Sequence, residues 1–378
     1  MLSFKVIGAG AAGNKAAIKL AENGFNLNNI ILINSTSRDI PEKYRNNSII
    51  FGTSADTLGG CGKEREVGKR LILTDMKMGN ISLDGIADPN TNAVIIVSST
   101  EGGSGSAVTP ILAKYIKGVL GLPVIIVLFF GFNSDVRGMQ NSIEICQELS
   151  DDCGVIGISN AKFLDTANQN KIKAEQLANE EFVKFVNILS GSNINAADQN
   201  IDDTDLFKLV ITPGYMCIGS ANVSKVKNRE QFNKNINEAI DNSKLLDISE
   251  KGAKRIGVIF DTPEEMADSV DYNAHTIQNR YGIPYEMFTH IQNQSSGEVT
   301  WIAAGLPLPL KEVKEIYENY MKASSNVNKN KDAFHNLVGQ FTGNKEDAIF
   351  NELNPKKAPD KKAKAAFFAD FGIGGSDK

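Results

Sequence analysis

Residues 98–106 read Ser98-Ser99-Thr100-Glu101-Gly102-Gly103-Ser104-Gly105-Ser106. They leave an apolar run, Ala93-Val94-Ile95-Ile96-Val97, and lead into a stretch of helical character over 109–120. The small residues stop where the helix begins. A strand that turns into a helix through bare backbone offers unpaired N–H groups to an anion, and Ser104 and Ser106 add hydroxyl donors. The plain alternative is a Gly-rich surface loop.

A second such turn lies upstream. Gly8-Ala9-Gly10-Ala11-Ala12-Gly13-Asn14 follows a buried strand at 3–7 and opens a helix over about 14–23, closed by Gly24. The pattern Gly-x-Gly-x-x-Gly in this position also suits a dinucleotide-binding turn. Such an enzyme needs Asp or Glu at the end of the next strand for the ribose hydroxyls. That strand, Ile30-Ile31-Leu32-Ile33, ends instead in Asn34-Ser35-Thr36. Two glycine turns on different strands point to two backbone nests gripping one polyphosphate.

Working outward, Val124–Leu128 and Val155–Ile158 read as further strands, with a helix at 137–149 between them. Near-continuous apolar strands alternating with helices predict a parallel sheet covered on both faces. Residues 175–191 form a helix whose Leu177, Phe182, Phe185, Val186 and Leu189 share a face. A loop at 192–203 and an apolar stretch at 206–211 precede a second α/β region, with helices at 228–242, 263–280 and 310–322 and strands at 255–260 and 298–303.

The chain has 378 residues and a net charge of −5, which suits two domains and a tail and argues against a body coated for nucleic acid. Cys61, Cys146, Cys153 and Cys217 show no CxxC spacing, and with three His in all, zinc is not expected. The start runs into a strand without a signal-peptide pattern. The apolar run 120–132 is interrupted by Gly121, Pro123 and Gly131 and is too short for a bilayer. A soluble, cytoplasmic protein with reduced thiols and no membrane partner is expected.

The Gly-Gly-Ser-Gly-Ser segment at 102–106 resembles the G-G-[ST]-G-[ST]-G signature of the tubulin/FtsZ superfamily. Gly8–Asn14 is similar to the family's first phosphate loop and Ile33–Thr36 to its second. Gly59-Gly60-Cys61-Gly62-Lys63-Glu64-Arg65 resembles the third, in wording nearest to plasmid and phage tubulins of the TubZ/PhuZ type. Residues 131–137 fall at the ribose-contacting fifth loop, with Asp135 and Arg137 as candidates, and Ser159-Asn160 at the guanine-contacting sixth. The resemblance covers about 3–260.

Asn200-Ile201-Asp202-Asp203-Thr204-Asp205 resembles the family's seventh loop, N-x-D-x-x-D. In that family this loop meets the γ-phosphate held by the neighbouring subunit. The resemblance therefore implies that Asn200, Asp202 and Asp205 orient the attacking water. The alternative is a solvated acidic loop capping the next helix. The nucleotide side would comprise Gly10, Ala11, Ala12, Gly13, Asn14, Gly60, Cys61, Gly102, Gly103, Ser104, Gly105 and Ser106, with Asn14, Asn160 and Asn179 as base or ribose readers; each of these Asn is also an ordinary cap or turn residue. Departures are Glu101 and Ala11-Ala12, where FtsZ has Gly, and a fifth loop without P-F-x-F-E-G.

The implied fold is an α/β chain. It has a Rossmann-like parallel-sheet GTPase domain (1–175), a long central helix with the catalytic loop (176–204), and a second α/β activation domain (205–322). A tail, partly helical or disordered, covers 323–378. The implied activity is hydrolysis of GTP to GDP with Mg²⁺, no protein metal ligand being assigned, in head-to-tail filaments that move or position phage or plasmid DNA. The tail carries a basic run, 355–364, and the aromatics Phe367, Phe368 and Phe371. It is a spacer, a docking segment for another subunit or a DNA-bound adaptor, or a direct DNA contact. A nicotinamide- or flavin-dependent enzyme and a non-hydrolysing filament stand as rivals.

Overall fold

The computed structural model describes residues 1–53, 59–149, 152–195, 200–248, 250–294 and 296–338. The basic run at 355–364 and Phe367, Phe368 and Phe371 lie outside the described residues. In chain order, β1 (Phe4–Ala9), α1 (Gly10–Glu22), β2 (Ile30–Asn34), β3 (Ser48–Ile50), α2 (Arg65–Met78), β4 (Ala93–Ser99) and α3 (Ser104–Gly118) come first. β5 (Val124–Phe130), α4 (Val136–Glu148), β6 (Gly154–Ser159) and the central helix α5 (Lys171–Ser190) follow. The second half holds α6 (Asp203–Val210), β7 (Gly214–Asn222), α7 (Arg229–Asp241), β8 (Arg255–Asp261), α8 (His275–Tyr281), β9 (Glu286–Gln292), β10 (Glu298–Leu306) and α9 (Leu310–Val338).

The strands form one ten-stranded sheet in the order β3-β2-β1-β4-β5-β6-β7-β10-β8-β9. From β3 to β7 every pairing is parallel; β10 runs antiparallel to both β7 and β8. The order 3-2-1-4-5-6 places a topological switch point between β1 and β4. There the following connections depart to opposite sides and leave a crevice at the strands' carboxyl ends. Ala9 at the end of β1 is in register with Ser98 near the end of β4. Both glycine turns therefore open into the same crevice.

β6 and β7 share only the pairs Gly154↔Gly214 and Val155↔Tyr215. The buried Tyr215 hydroxyl adds a stitch, within 3.2 Å of both the Gly157 and Leu246 carbonyls. α5 spans the length of the first half. Its inward face is Ala174, Ala178, Phe182, Phe185, Val186 and Leu189, so the small alanines take the place expected for Leu177, which is only half-buried. Phe182 meets Phe129 of β5 edge-on at 6.4 Å, and burying such a ring stabilises by about 1.5–3 kcal/mol. Gly191, with φ +74°, ends the helix in the left-handed conformation that favours glycine.

Within the apolar stretch at 206–211, Leu206, Leu209 and Val210 are the buried residues of α6, whose N-terminus Asp202 caps. Two readings of the second half change. The helix expected at 263–280 is a 3₁₀ turn, Glu264–Ser269, followed by α8. The helix expected to end at 322 continues to Val338. Strands β7 and β9 were not anticipated, because neither shows a clean two-residue alternation.

Candidate functional site

The two glycine turns touch backbone to backbone. A Cβ added to Gly10, whose φ is +72°, would lie 2.7 Å from the Gly105 nitrogen, and one on Gly105 would lie 2.4 Å from the Ala9 carbonyl oxygen. Neither α1 nor α3 has a side-chain cap at its N-terminus. Two sets of uncapped helix N–H groups thus converge on the crevice, each a partial positive end. Gly102 faces open space, with nothing within 4 Å of its would-be Cβ. Gly13 serves packing instead. Its Cβ would fall 2.0 Å from the Val97 carbonyl oxygen, so it lets α1 lie close on β4.

The remaining loops lock around these two. Ser35 and Ser104 hydroxyls are 2.7 Å apart, tying the second loop to the signature loop. Gly103 packs against the Lys63 backbone, where a Cβ would come within 2.7 Å. Lys63 pairs with Asp135 at 2.6 Å and Glu64 pairs with Arg137. Asp135 also caps α4 by accepting from the Gly138 amide at 2.8 Å. The hydrogen bond from Lys63, with that from Gly138, holds the Asp135 carboxyl below its ordinary range. The fifth-loop candidates Asp135 and Arg137 therefore commit their charges to the third loop. Asn141 of α4 donates to the Lys63 and Glu101 carbonyls, both at 3.0 Å. Arg65, its side chain 1% exposed, binds Glu144, Glu148 and the Ser106 carbonyl. Neither the Lys63-Glu64-Arg65 clamp nor its α4 partners was read from the sequence; two carboxylates four apart on a predicted helix face, Glu144 and Glu148, were the available signal.

A cleft continues from the crevice, and its lining includes Ala12, Lys15, Ser99, Glu101, Asn160 and Asn179. Three sequence candidates from separate segments, Ala12, Asn160 and Asn179, thus share one wall; Lys15 and Glu175 join them unanticipated. Asn14 is fully buried and both its amide atoms lack partners, as does Asn160 Oδ1. Orphaned buried amides carry a cost that a hydrogen-bonding ligand removes. Bare helix N-termini and unpaired amides together fit a nucleotide. Glu101 turns its carboxylate from the glycine turn toward the fifth loop, where it accepts from the Asn133 amide at 2.7 Å. Burial pushes its pKa up despite that bond.

Other candidates have different surroundings. The Ser106 hydroxyl is buried and donates to the Gly102 carbonyl. Cys61 is buried beside Gly68 in the third loop, and Gly60, with φ +94°, faces open space. Ala11 is exposed. Burial raises the Cys146 thiol to about 12 and Cys153 to about 11, which disfavours the thiolate in both. Among the described residues no group of three or more His, Cys, Asp or Glu could hold a metal ion, and no helix is long and apolar enough to cross a membrane.

The acidic loop lies at the far side. α5 begins beside the cradle, where Lys171 donates to Ser134 at 2.7 Å. It ends beside the start of β1, where the Leu2 amide donates to the Ser190 carbonyl at 2.9 Å. Twenty helical residues span ~30 Å. Asn200 and Asp202 are exposed and Asp205 half-exposed; Asp202 caps α6 by accepting from the Asp205 amide at 2.8 Å. The capping role is thus realised, at the opposite edge of the sheet from Gly102–Gly105.

Residues 3–168 match the model of the Tubulin/FtsZ family, GTPase domain. The cell division protein FtsZ of Aquifex aeolicus is 25% identical over 283 residues, 72% of this chain and 74% of that protein. Among solved structures, a GTPγS-form protofilament of Bacillus thuringiensis serovar israelensis TubZ superposes with a TM-score of 0.70 at 17% identity, covering 89% of this chain and 94% of that one. TubZ of the Clostridium botulinum phage c-st gives 0.66 at 17% identity, covering 86% and 98%. The cradle at the switch point thus lies within residues 3–168, the part of the chain that matches the GTPase domain of the Tubulin/FtsZ family.

Proposed function

We propose that this GTPase hydrolyses GTP only at a joint between subunits stacked head to tail. The observation that carries the reading is the separation within one molecule: a phosphate cradle at one edge of the sheet and exposed carboxylates ~30 Å away along α5. A single chain cannot bring them together. A second copy can, if the acidic edge of one meets the cradle of the next. Such a contact is heterologous and does not close, so it builds filaments.

In this reading the glycine turns and helix ends hold the α-, β- and γ-phosphates, and Asn160 and Asn179 read the base. Mg²⁺ would ride on the phosphates, neutralising charge there, since it is commonly held by substrate oxygens with one or two carboxylates. Asn200, Asp202 and Asp205 of the next subunit orient a water toward the γ-phosphorus. The water oxygen bonds to phosphorus, the bond to the bridging oxygen breaks, and GDP leaves; the water's proton passes to the carboxylate and on to phosphate. The third-loop wording and the likeness to phage and Bacillus TubZ support a role in positioning phage or plasmid DNA, with residues 323–378 as the segment that meets an adaptor. Boundaries at 175, 204 and 322 separate the proposed working parts. Phosphate release measured against protein concentration tests the reading: turnover per subunit should climb steeply through the assembly threshold, and a flat profile would overturn it.

A further inference from the structure

Between the exposed Asn200 and Asp202, Ile201 is buried. Its side chain rests near Gly257 of β8, whose would-be Cβ lies 3.8 Å from Ile201 Cδ1. Its amide donates to His290 Nδ1 at 3.3 Å. His290 is 0% exposed. With Nδ1 accepting, the ring hydrogen sits on Nε2, which donates to Gln292 Oε1 at 2.9 Å. The same oxygen accepts from the Asn195 amide at 2.9 Å, and Gln292 Nε2 donates to the Asn193 carbonyl at 3.1 Å.

Both ring nitrogens and both amide atoms are therefore occupied. Apart from each other, their partners are all main-chain groups of the segment between α5 and α6. Burying these polar groups is costly unless every bond is made, and the bonds are made only when that segment sits in this place. Neither residue is near the cradle. Ile201 is covalently next to Asn200 and Asp202, and the Asp202 cap in turn fixes the first turn of α6, which carries Asp205.

We propose that His290 and Gln292 are positioning residues: a buried clamp on β9 that sets the acidic loop for attack on the neighbouring subunit's γ-phosphate. This rests on the reading that the loop serves the neighbour's nucleotide. A displacement of ~1 Å in such a group can cost about 100-fold in rate. The clamp explains how an exposed loop keeps that accuracy.

His290→Phe keeps the ring and removes the acceptor; His290→Asn returns an acceptor near the Nδ1 position. Turnover per assembled subunit should fall at least about 10-fold in the Phe variant. GTP affinity of the monomer, and assembly with GTPγS, should stay at wild-type values. The Asn variant should recover most of the rate, and hydrogen exchange at the Ile201 amide should speed up in the first and return in the second. Gln292→Met, which strips the other bonds at similar length, is the parallel variant where His290→Phe does not fold. Wild-type turnover in a folded Phe or Met variant, or a rate loss matched by lost GTP affinity, would overturn the clamp. A wild-type chain that polymerises without hydrolysing GTP would instead overturn the reading beneath it, and unchanged Ile201 exchange in the variants would then still refute the clamp on its own.

Discussion

Gly10 and Gly105, from turns on two neighbouring strands, lie so close that a methyl group on the first would sit 2.7 Å from the backbone nitrogen of the second. The cradle is one object made of two loops, and each glycine is needed by the other loop's backbone. Gly102 differs, since nothing lies within 4 Å of its missing Cβ. Gly105→Ala is expected to destabilise the nucleotide-free monomer by about 1–3 kcal/mol through overpacking. Gly102→Ala should melt like the wild type and bind GTP about tenfold more weakly, because its new methyl occupies the space a phosphate needs. Thermal unfolding and titration with a fluorescent guanine nucleotide separate the two. Wild-type affinity in Gly102→Ala would remove the phosphate from that turn.

Asn14 offers a trade between stability and binding. Its amide is buried without a partner at either end, a burden of about 1–3 kcal/mol in the empty protein. Asn14→Leu, close in size and without polar atoms, is expected to raise the melting temperature of the nucleotide-free monomer and to lower GTP affinity. The wild type should gain more from added GTP than the variant does. A variant that is both less stable and binds normally would show that water, not nucleotide, satisfies the amide.

The glycine turns were legible because backbone chemistry leaves a local mark, small residues where an apolar strand gives way to a helix; the helices begin earlier than expected, so Gly10–Gly13 and Ser104–Ser106 form the first turns of α1 and α3. The switch point that unites them was not, since strand order is a long-range property. The cleft wall was half legible. Asn160 and Asn179 stood out as residues, whereas Lys15 and Glu175 look like ordinary helix-surface charges until α1 and α5 are seen to frame one cleft. His290 and Gln292 were invisible for a similar reason. Their partners are backbone groups some ninety residues earlier in the chain, and no side-chain pattern encodes them.

Arg65 is almost fully enclosed, while its partners Glu144 and Glu148 keep about a third of their side-chain surface. Removal should be asymmetric. Arg65→Met leaves carboxylates that water can reach. Glu144→Gln with Glu148→Gln strands a buried guanidinium and should cost about 3–5 kcal/mol, the larger loss. Burial pushes the Glu148 pKa up, but hydrogen bonds from Arg65 and Lys69 outweigh it and leave the net value lowered. A lowered folded value means the unfolded chain binds protons first as pH falls. The stabilisation is therefore present above the ordinary glutamate value of 4.5 and is lost as pH drops through the folded value. Urea unfolding across that acid range should show a shallower decline for Glu148→Gln than for wild type, starting from lower stability at neutral pH.

Asp202 and Asp205 carry different burdens, and that allows chemistry to be separated from folding. Asp202 caps α6, so Asp202→Ala should cost about 1 kcal/mol while Asp202→Asn keeps the cap. The Asp205 carboxylate makes no bond among the described residues, so Asp205→Asn should change stability by less than about 0.5 kcal/mol. Both Asn variants should nevertheless form filaments with GTP that fail to disassemble, with phosphate release reduced about 100-fold, the scale on which an aligned catalytic group matters. A mixture gives the sharper test. Asp205→Asn subunits keep an intact cradle, and Gly102→Ala subunits keep intact acids. At GTP concentrations that load only the former, a filament containing both places a loaded cradle against working acids at mixed joints. The mixture should release phosphate faster than either variant alone at the same total concentration. Equal or lower release, in filaments confirmed to contain both, would mean that cradle and acids do not act across a joint.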